Sequence, residues 1–127
     1  MNNYYQKYKK ISVESASKEQ LLLMMYEGAI KYIKKAIIAI DDKDIAGRGQ
    51  NIGYAYDIIM ELNNTLDHKV GGEIAANLEQ LYIWMTNQLT QANISSDKKK
   101  LEETLKVLNT LYEGWQQAIE KLKQKAK

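Results

Sequence analysis

The chain has 127 residues, with 18 basic and 16 acidic side chains and a formal net charge of +2. Arg48 is the only arginine of the chain. Planar, bidentate recognition of phosphate and guanine edges depends mainly on arginine, so the chain has few groups for it. Cysteine is absent, which excludes disulfides and zinc–thiolate sites and fits a reducing compartment. We therefore expect no nucleic-acid partner.

The first residues of the chain contain no apolar core like that of a secretory signal. No apolar stretch approaches the roughly 20 residues that span a bilayer. We therefore expect a cytoplasmic protein without membrane insertion. The length is that of one domain, and residues 1–127 are predicted to form one.

Residues 1–16 show no sustained helical period and are predicted to form a short N-terminal arm. The bland interpretation is a frayed terminus. A fully solvated tail is usually poor in aromatic residues. The arm contains Tyr4, Tyr5 and Tyr8, which argues against a frayed terminus.

The first predicted helix starts at a capping box formed by Ser17 and Gln20 and ends near Ile40. Residues 21–26 are all apolar or aromatic. A helix that is apolar nearly all round must be covered on more than one side. The arm or a partner is the expected cover.

Asp44 suits the N-cap of the second predicted helix, whose apolar stripe runs from Ile45 to Leu66. Residues 67–72 are expected to break the pattern before the third helix. That helix carries its stripe from position 74 to position 92, and Asn93 is a plausible left-handed terminator.

The fourth predicted helix follows residues 95–97 and carries a stripe from Leu101 to Leu122. Four amphipathic segments joined by short loops predict an all-α fold, an antiparallel up-down four-helix bundle over residues 17–124 with the arm at its start.

Catalytic and metal-binding groups are scarce. The only histidine is His68, in a predicted loop. A di-iron bundle needs two Glu-x-x-His pairs, and zinc needs several His or Cys ligands. Nucleophilic catalysis has no cysteine, and no Ser or Thr has a plausible His–carboxylate pair. We expect no enzyme, no metal and no cofactor.

The fourth predicted helix has a second apolar seam beside its main stripe, with spacing i, i+4, i+7 and i+11. Its members are Val107, Leu111, Gly114 and Ala118. Gly114 would let another helix approach closely. Surplus apolar seams of this kind suit a partner helix laid into a groove.

Large side chains also lie outside the main stripes of the second and third predicted helices: Tyr54 and Ile58 on one, Ile83 and Trp84 on the other. They either widen the buried face against bundle neighbours or mark an interaction surface. We predict partner-binding roles for Tyr54, Ile58, Val107, Leu111, Gly114 and Ala118.

Several segments, taken in order and spacing, resemble one known family. They are Leu-Met-Met-Tyr-Glu-Gly-Ala-Ile at 23–30, Gly-Gly-Glu-Ile-Ala-Ala-Asn-Leu at 71–78, Leu81-Tyr82, residues 89–93 and Trp115. The chain resembles the flagellin-specific export chaperones of the bacterial flagellar secretion system, the FliS family. Met25 departs from the family's usual Leu.

The resemblance implies a bundle that binds the disordered C-terminal segment of flagellin as helices in the cytoplasm. It would prevent premature polymerisation and present flagellin for type III export. Tyr5 and Tyr8 match apolar anchors of an arm that occupies part of the groove when it is empty. Further candidate partners are an export gate component and other flagellar regulators.

The competing interpretation is a structural or dimerisation bundle without an export role, in which the seams serve self-association. The free chain is expected to be a monomer or a weak homodimer.

Overall fold

A computed structural model describes residues 17–126 of the chain, with the side chains of 17–125. These residues form four helices, α1 (Lys18–Asp41), α2 (Ile45–Asn64), α3 (His68–Ser95) and α4 (Lys98–Ala126). Helix α1 packs against α2 and α4, and α3 packs against the same two helices. The predicted antiparallel four-helix bundle is confirmed. The arm, with Tyr5 and Tyr8, lies outside the described residues.

Side-chain caps set the helix starts where the sequence predicts them. The Ser17 hydroxyl accepts from the Gln20 amide at 3.2 Å, and the Gln20 side chain accepts from the Ser17 amide at 3.1 Å. At α2, the Asp44 carboxylate accepts from the Gly47 amide at 2.9 Å. These bonds satisfy amides that the first helical turn leaves without partners.

Helix α3 begins earlier than expected. The Asp67 carboxylate accepts from the amides of Lys69 and Val70, so the helix starts at His68. The break is confined to Gly72, whose φ of 51° and ψ of −121° kink the helix. The expectation that residues 67–72 all interrupt the helix is therefore wrong, because a cap starts a helical turn before the kink.

The other end of α3 also differs from the prediction. The left-handed terminator is Ser96, at φ 54°, and the helix runs to Ser95. The Asn93 side chain instead accepts a hydrogen bond from Arg48 Nε at 3.2 Å, which ties α3 to the start of α2. The role predicted for Asn93 is wrong because a tertiary contact uses its side chain.

The core contains apolar side chains from all four helices and one buried polar pair. The Tyr26 and Tyr82 hydroxyls lie 2.5 Å apart and satisfy each other. Burial raises the pKa of both phenols, so both stay neutral. The largest fully buried apolar side chains are Ile33, Ile59, Leu62, Met85, Leu89, Leu101 and Leu108.

Two polar contacts fix the register between α1 and α4. At one end, Lys98 Nζ lies 3.0 Å from Asp41 Oδ1. Farther along, the Tyr112 hydroxyl donates to the Glu27 carboxylate. In an antiparallel pair, these contacts place the C-terminal turns of α4 beside the start of α1.

Gly72 and Gly53 should respond to alanine in opposite directions. A methyl group at either position meets no atom within 4 Å, so only backbone preference differs. Gly72→Ala should lower the free energy of unfolding by about 1–3 kcal/mol, because a residue other than glycine is strained in this backbone conformation. Gly53→Ala, inside α2, should raise the free energy of unfolding by about 0.5–1 kcal/mol. Urea unfolding followed by circular dichroism measures both, and a neutral Gly72→Ala would contradict the kink.

The hydrogen bond to Glu27 raises the pKa of Tyr112 to about 12. The folded state therefore holds this proton more tightly than the unfolded chain, whose tyrosines titrate near about 10. The stabilisation should be complete below pH ~10 and disappear as the pH rises towards 12. Absorbance titration at alkaline pH should show the phenol that ionises near pH 12 missing in Tyr112→Phe and ionising earlier in Glu27→Gln. A step near pH 12 that stays unchanged in Tyr112→Phe would contradict the assignment.

Candidate protein-binding surface

The predicted seam on α4 faces α3. Gln88 of α3 donates to Glu103 Oε1 at 3.1 Å and to the Lys100 carbonyl at 3.4 Å, which marks the side of α4 that α3 contacts. Val107 lies one turn after Glu103, and Leu111 one turn farther, so both lie on that side. The side of α4 toward α1 carries Tyr112 instead.

Exposure increases along the seam toward the C-terminus of α4. Val107 and Leu111 are half-buried and pack against the core. Gly114 and Ala118 are exposed, and a Cβ added at Gly114 meets nothing within 4 Å. The seam therefore ends in a shallow, open stretch with small side chains.

Helix α3 supplies the facing apolar side chains. Trp84 precedes Gln88 by one turn, so it lies on the side toward α4, and it is 37% exposed. Ile74 comes 14 residues, about four turns, before Gln88, so it lies on the same side of α3. Its side chain is 68% exposed. Because the helices are antiparallel, Trp84 lies near the level of Val107 and Ile74 nearer that of Gly114. We define the α3–α4 face by Ile74, Trp84, Val107, Leu111, Gly114 and Ala118.

Four residues expected in the apolar stripes are exposed: Ile45 at 70%, Tyr56 at 36%, Ile74 at 68% and Leu122 at 61%. Tyr112 of α4 contacts Glu27 of α1. Leu122 follows Tyr112 by ten residues, and Ser17 precedes Glu27 by the same number in the antiparallel helix. Leu122 therefore lies level with the N-cap of α1, beyond the span of that helix. Periodicity gives its direction correctly, but α1 begins only at this level.

Tyr54 and Ile58 lie on another edge of the bundle. The Tyr54 ring stands edge-on to the Tyr32 ring of α1, with 4.9 Å between centroids. Ile58, one turn later, is 2% exposed and belongs to the core. The expectation that Ile58 lies outside the buried stripe is wrong, because α1 covers this side of α2. The two residues do not join the α3–α4 face.

An apolar cavity of about 430 Å³ lies at the end of the bundle where residues 1–16 join it. Its walls include Leu21, Leu22 and Met25 of α1 and Thr65 after α2. Leu21 and Leu22 are only half-buried. The apolar run at 21–26 is thus partly uncovered among the described residues. The predicted cover by Tyr5 and Tyr8 lies outside them.

Ionisable groups are dispersed over the surface. Within residues 17–126, no group of three or more His, Asp or Glu side chains could hold a metal ion. His68 Nε2 lies 3.7 Å from Glu79 Oε2, across the kink at Gly72, with both side chains about half exposed. No helix of this described part is long and apolar enough to cross a membrane.

Comparisons with known proteins agree on one family. The family model described as "Flagellar protein FliS" matches residues 1–122. Proteins named flagellar secretion chaperone FliS are similar along nearly the whole chain. The one from Vibrio cholerae is 36% identical over 92% of this chain and 89% of its own length. The Bacillus subtilis relative is 35% identical over 94% and 89%, and the Salmonella typhimurium relative 36% over 87% and 85%.

Substitutions should separate the core residue from the exposed seam. Ile58→Ala should lower the free energy of unfolding by about 2–4 kcal/mol, because it opens a cavity between α1 and α2. Ala118→Glu should change stability by less than about 0.5 kcal/mol, because the side chain is exposed. Thermal and urea unfolding measure both. A loss below ~1 kcal/mol for Ile58→Ala would contradict its place in the core.

Proposed function

The chain belongs to the FliS family of flagellar secretion chaperones, and we propose that it binds the C-terminal segment of flagellin as helices on the α3–α4 face. Binding keeps flagellin from polymerising early and holds it ready for type III export. The chaperone acts in the cytoplasm, where a client is met before secretion, and an export gate component and other flagellar regulators are its further partners.

The observation that carries the proposal is the uncovered apolar character of the α3–α4 face. Trp84 and Ile74 remain exposed on α3 opposite a seam that ends in Gly114 and Ala118 on α4. Contiguous exposed apolar side chains on a soluble domain usually mark an interaction site. An exposed apolar side chain such as Ile74 opposite small residues suits an amphipathic helix, because the backbone of that helix can come close where the small residues lie.

The length of this face limits what it can bind alone. Val107 to Ala118 spans about 16 Å, which matches about three turns of a docked helix. Ordering a disordered segment costs about 2–5 kcal/mol or more, so the client needs additional contact area. The uncovered apolar residues at the bundle end, Leu122 with Leu21 and Leu22, offer it. Tyr5 and Tyr8 then act as a lid that the client displaces.

Substitutions on the α3–α4 face should weaken client binding without unfolding the bundle. Leu111→Asp places a charge against the docked helix, and Gly114→Leu fills the space into which its backbone fits. Both should reduce affinity for a flagellin C-terminal peptide by at least about tenfold, or 1.4 kcal/mol. Isothermal titration calorimetry measures affinity, and circular dichroism checks that the helices persist.

The matched control is Glu113→Leu, which adds the same side chain one position away, on a different side of α4. Its affinity should stay within about twofold of the original. Unchanged binding by Gly114→Leu would count against this face.

Light scattering tests the dimerisation alternative, since a monomer that forms a 1:1 complex supports a chaperone. A permanent dimer indifferent to the peptide supports a structural bundle.

A further inference from the structure

A second groove lies between α1 and α4, on the side of α4 away from the α3–α4 face. Its volume is about 470 Å³, and it is open to solvent along its length. The residues that define its chemistry are Ile30, Lys34, Lys35, Ile38, Asn109 and Tyr112.

The groove combines an apolar floor with a basic wall. Ile30 is buried at its base, whereas Ile38, two turns along α1, is 58% exposed. Lys34 makes no ion pair with any residue from 17 to 125. Lys35 Nζ lies 5.8 Å from the centre of the Tyr32 ring. The carboxylate of Glu27, the acid at this groove, already accepts from Tyr112.

We propose that the α1–α4 groove is a docking site for an acidic amphipathic helix of a second protein. Apolar side chains spaced over two turns of that helix pack on Ile38, above Ile30, and on the Tyr112 ring. Its Glu or Asp side chains, on the flanking positions, lie against Lys34 and Lys35. Charge complementarity selects the acidic helix, because a basic or neutral one leaves these ammonium groups without a counter-charge.

The chain's own N-terminal arm does not match this groove. Residues 1–16 carry Lys7, Lys9 and Lys10 against the single acid Glu14. Like charges facing each other across an interface oppose binding. The occupant must therefore come from another molecule. Because the α3–α4 face lies on a different side of α4, both sites can be filled at once.

The probe is a fluorescein-labelled synthetic peptide of about 15 residues, long enough for about four helical turns. It carries Leu at i, i+4, i+7 and i+11 and Glu at the flanking positions. A second peptide keeps the leucines and replaces each Glu with Lys. Fluorescence anisotropy with the full chain should show the acidic peptide binding at least about tenfold tighter, with affinity falling as salt screens the charges.

Variants locate the binding. Lys34→Glu and Ile38→Asp should each weaken the acidic peptide by at least about fivefold, roughly 1 kcal/mol. Lys69→Glu, the same charge change at an exposed residue of α3, should leave it within about twofold. Lys34→Glu that has no effect, or Lys69→Glu that is equally damaging, overturns the proposal.

Two further measurements distinguish the α1–α4 groove from the client surface and from a lipid-binding site. Affinity for the flagellin C-terminal peptide should be unchanged in Lys34→Glu and Ile38→Asp. A failure of the α1–α4 groove proposal can therefore be distinguished from a failure of the proposed flagellin site. Phosphatidylserine vesicles test a lipid surface as the anionic partner. Vesicle binding that is lost in Lys34→Glu, with no binding of the acidic peptide, overturns the proposal in favour of a membrane surface.

Discussion

A helix in a four-helix bundle packs against two neighbours, so only part of its circumference can be covered from within the molecule. Tyr26, Ile33 and Ile59 lie inside the covered part and form the core. The apolar residues outside it, from Trp84 on α3 to Ala118 on α4, stay in contact with solvent. Leaving such residues uncovered is unfavourable for a free molecule and useful for one that binds an apolar client.

Helix α4 separates two kinds of surface. Toward α1 it makes polar contacts, with Lys98 on Asp41 and Tyr112 on Glu27. On the side toward α3, its seam beyond the contact made by Gln88 is apolar and ends in small residues. Helix α4 therefore borders the apolar α3–α4 face on one side and, together with the lysines of α1, the α1–α4 groove on the other. This arrangement suits a chaperone that holds a client while a second protein engages it.

The bundle end where the arm joins owes its exposed side chains to unequal helix reach. Helix α4 continues to Ala126, whereas the α1 residue level with its last turns is the N-cap Ser17. Leu122 consequently extends past its neighbour. Near the same end, the kink at Gly72 follows a single helical turn in α3. Leu122 is exposed at this end because α1 begins only at its level.

The sequence by itself determined the number of helices and the starts of α1 and α2, because caps such as Ser17 and Asp44 and the apolar period depend on neighbours along the chain. It also determined the bundle and, through ordered short segments, the family. Only the tertiary structure decided which apolar side chains are free. Periodicity shows that Tyr54 and Ile58 share a side of α2, but not that α1 covers that side. It gives the direction of Leu122, but not where the neighbouring helix begins. Coverage depends on the reach and packing of other helices, which no local pattern contains.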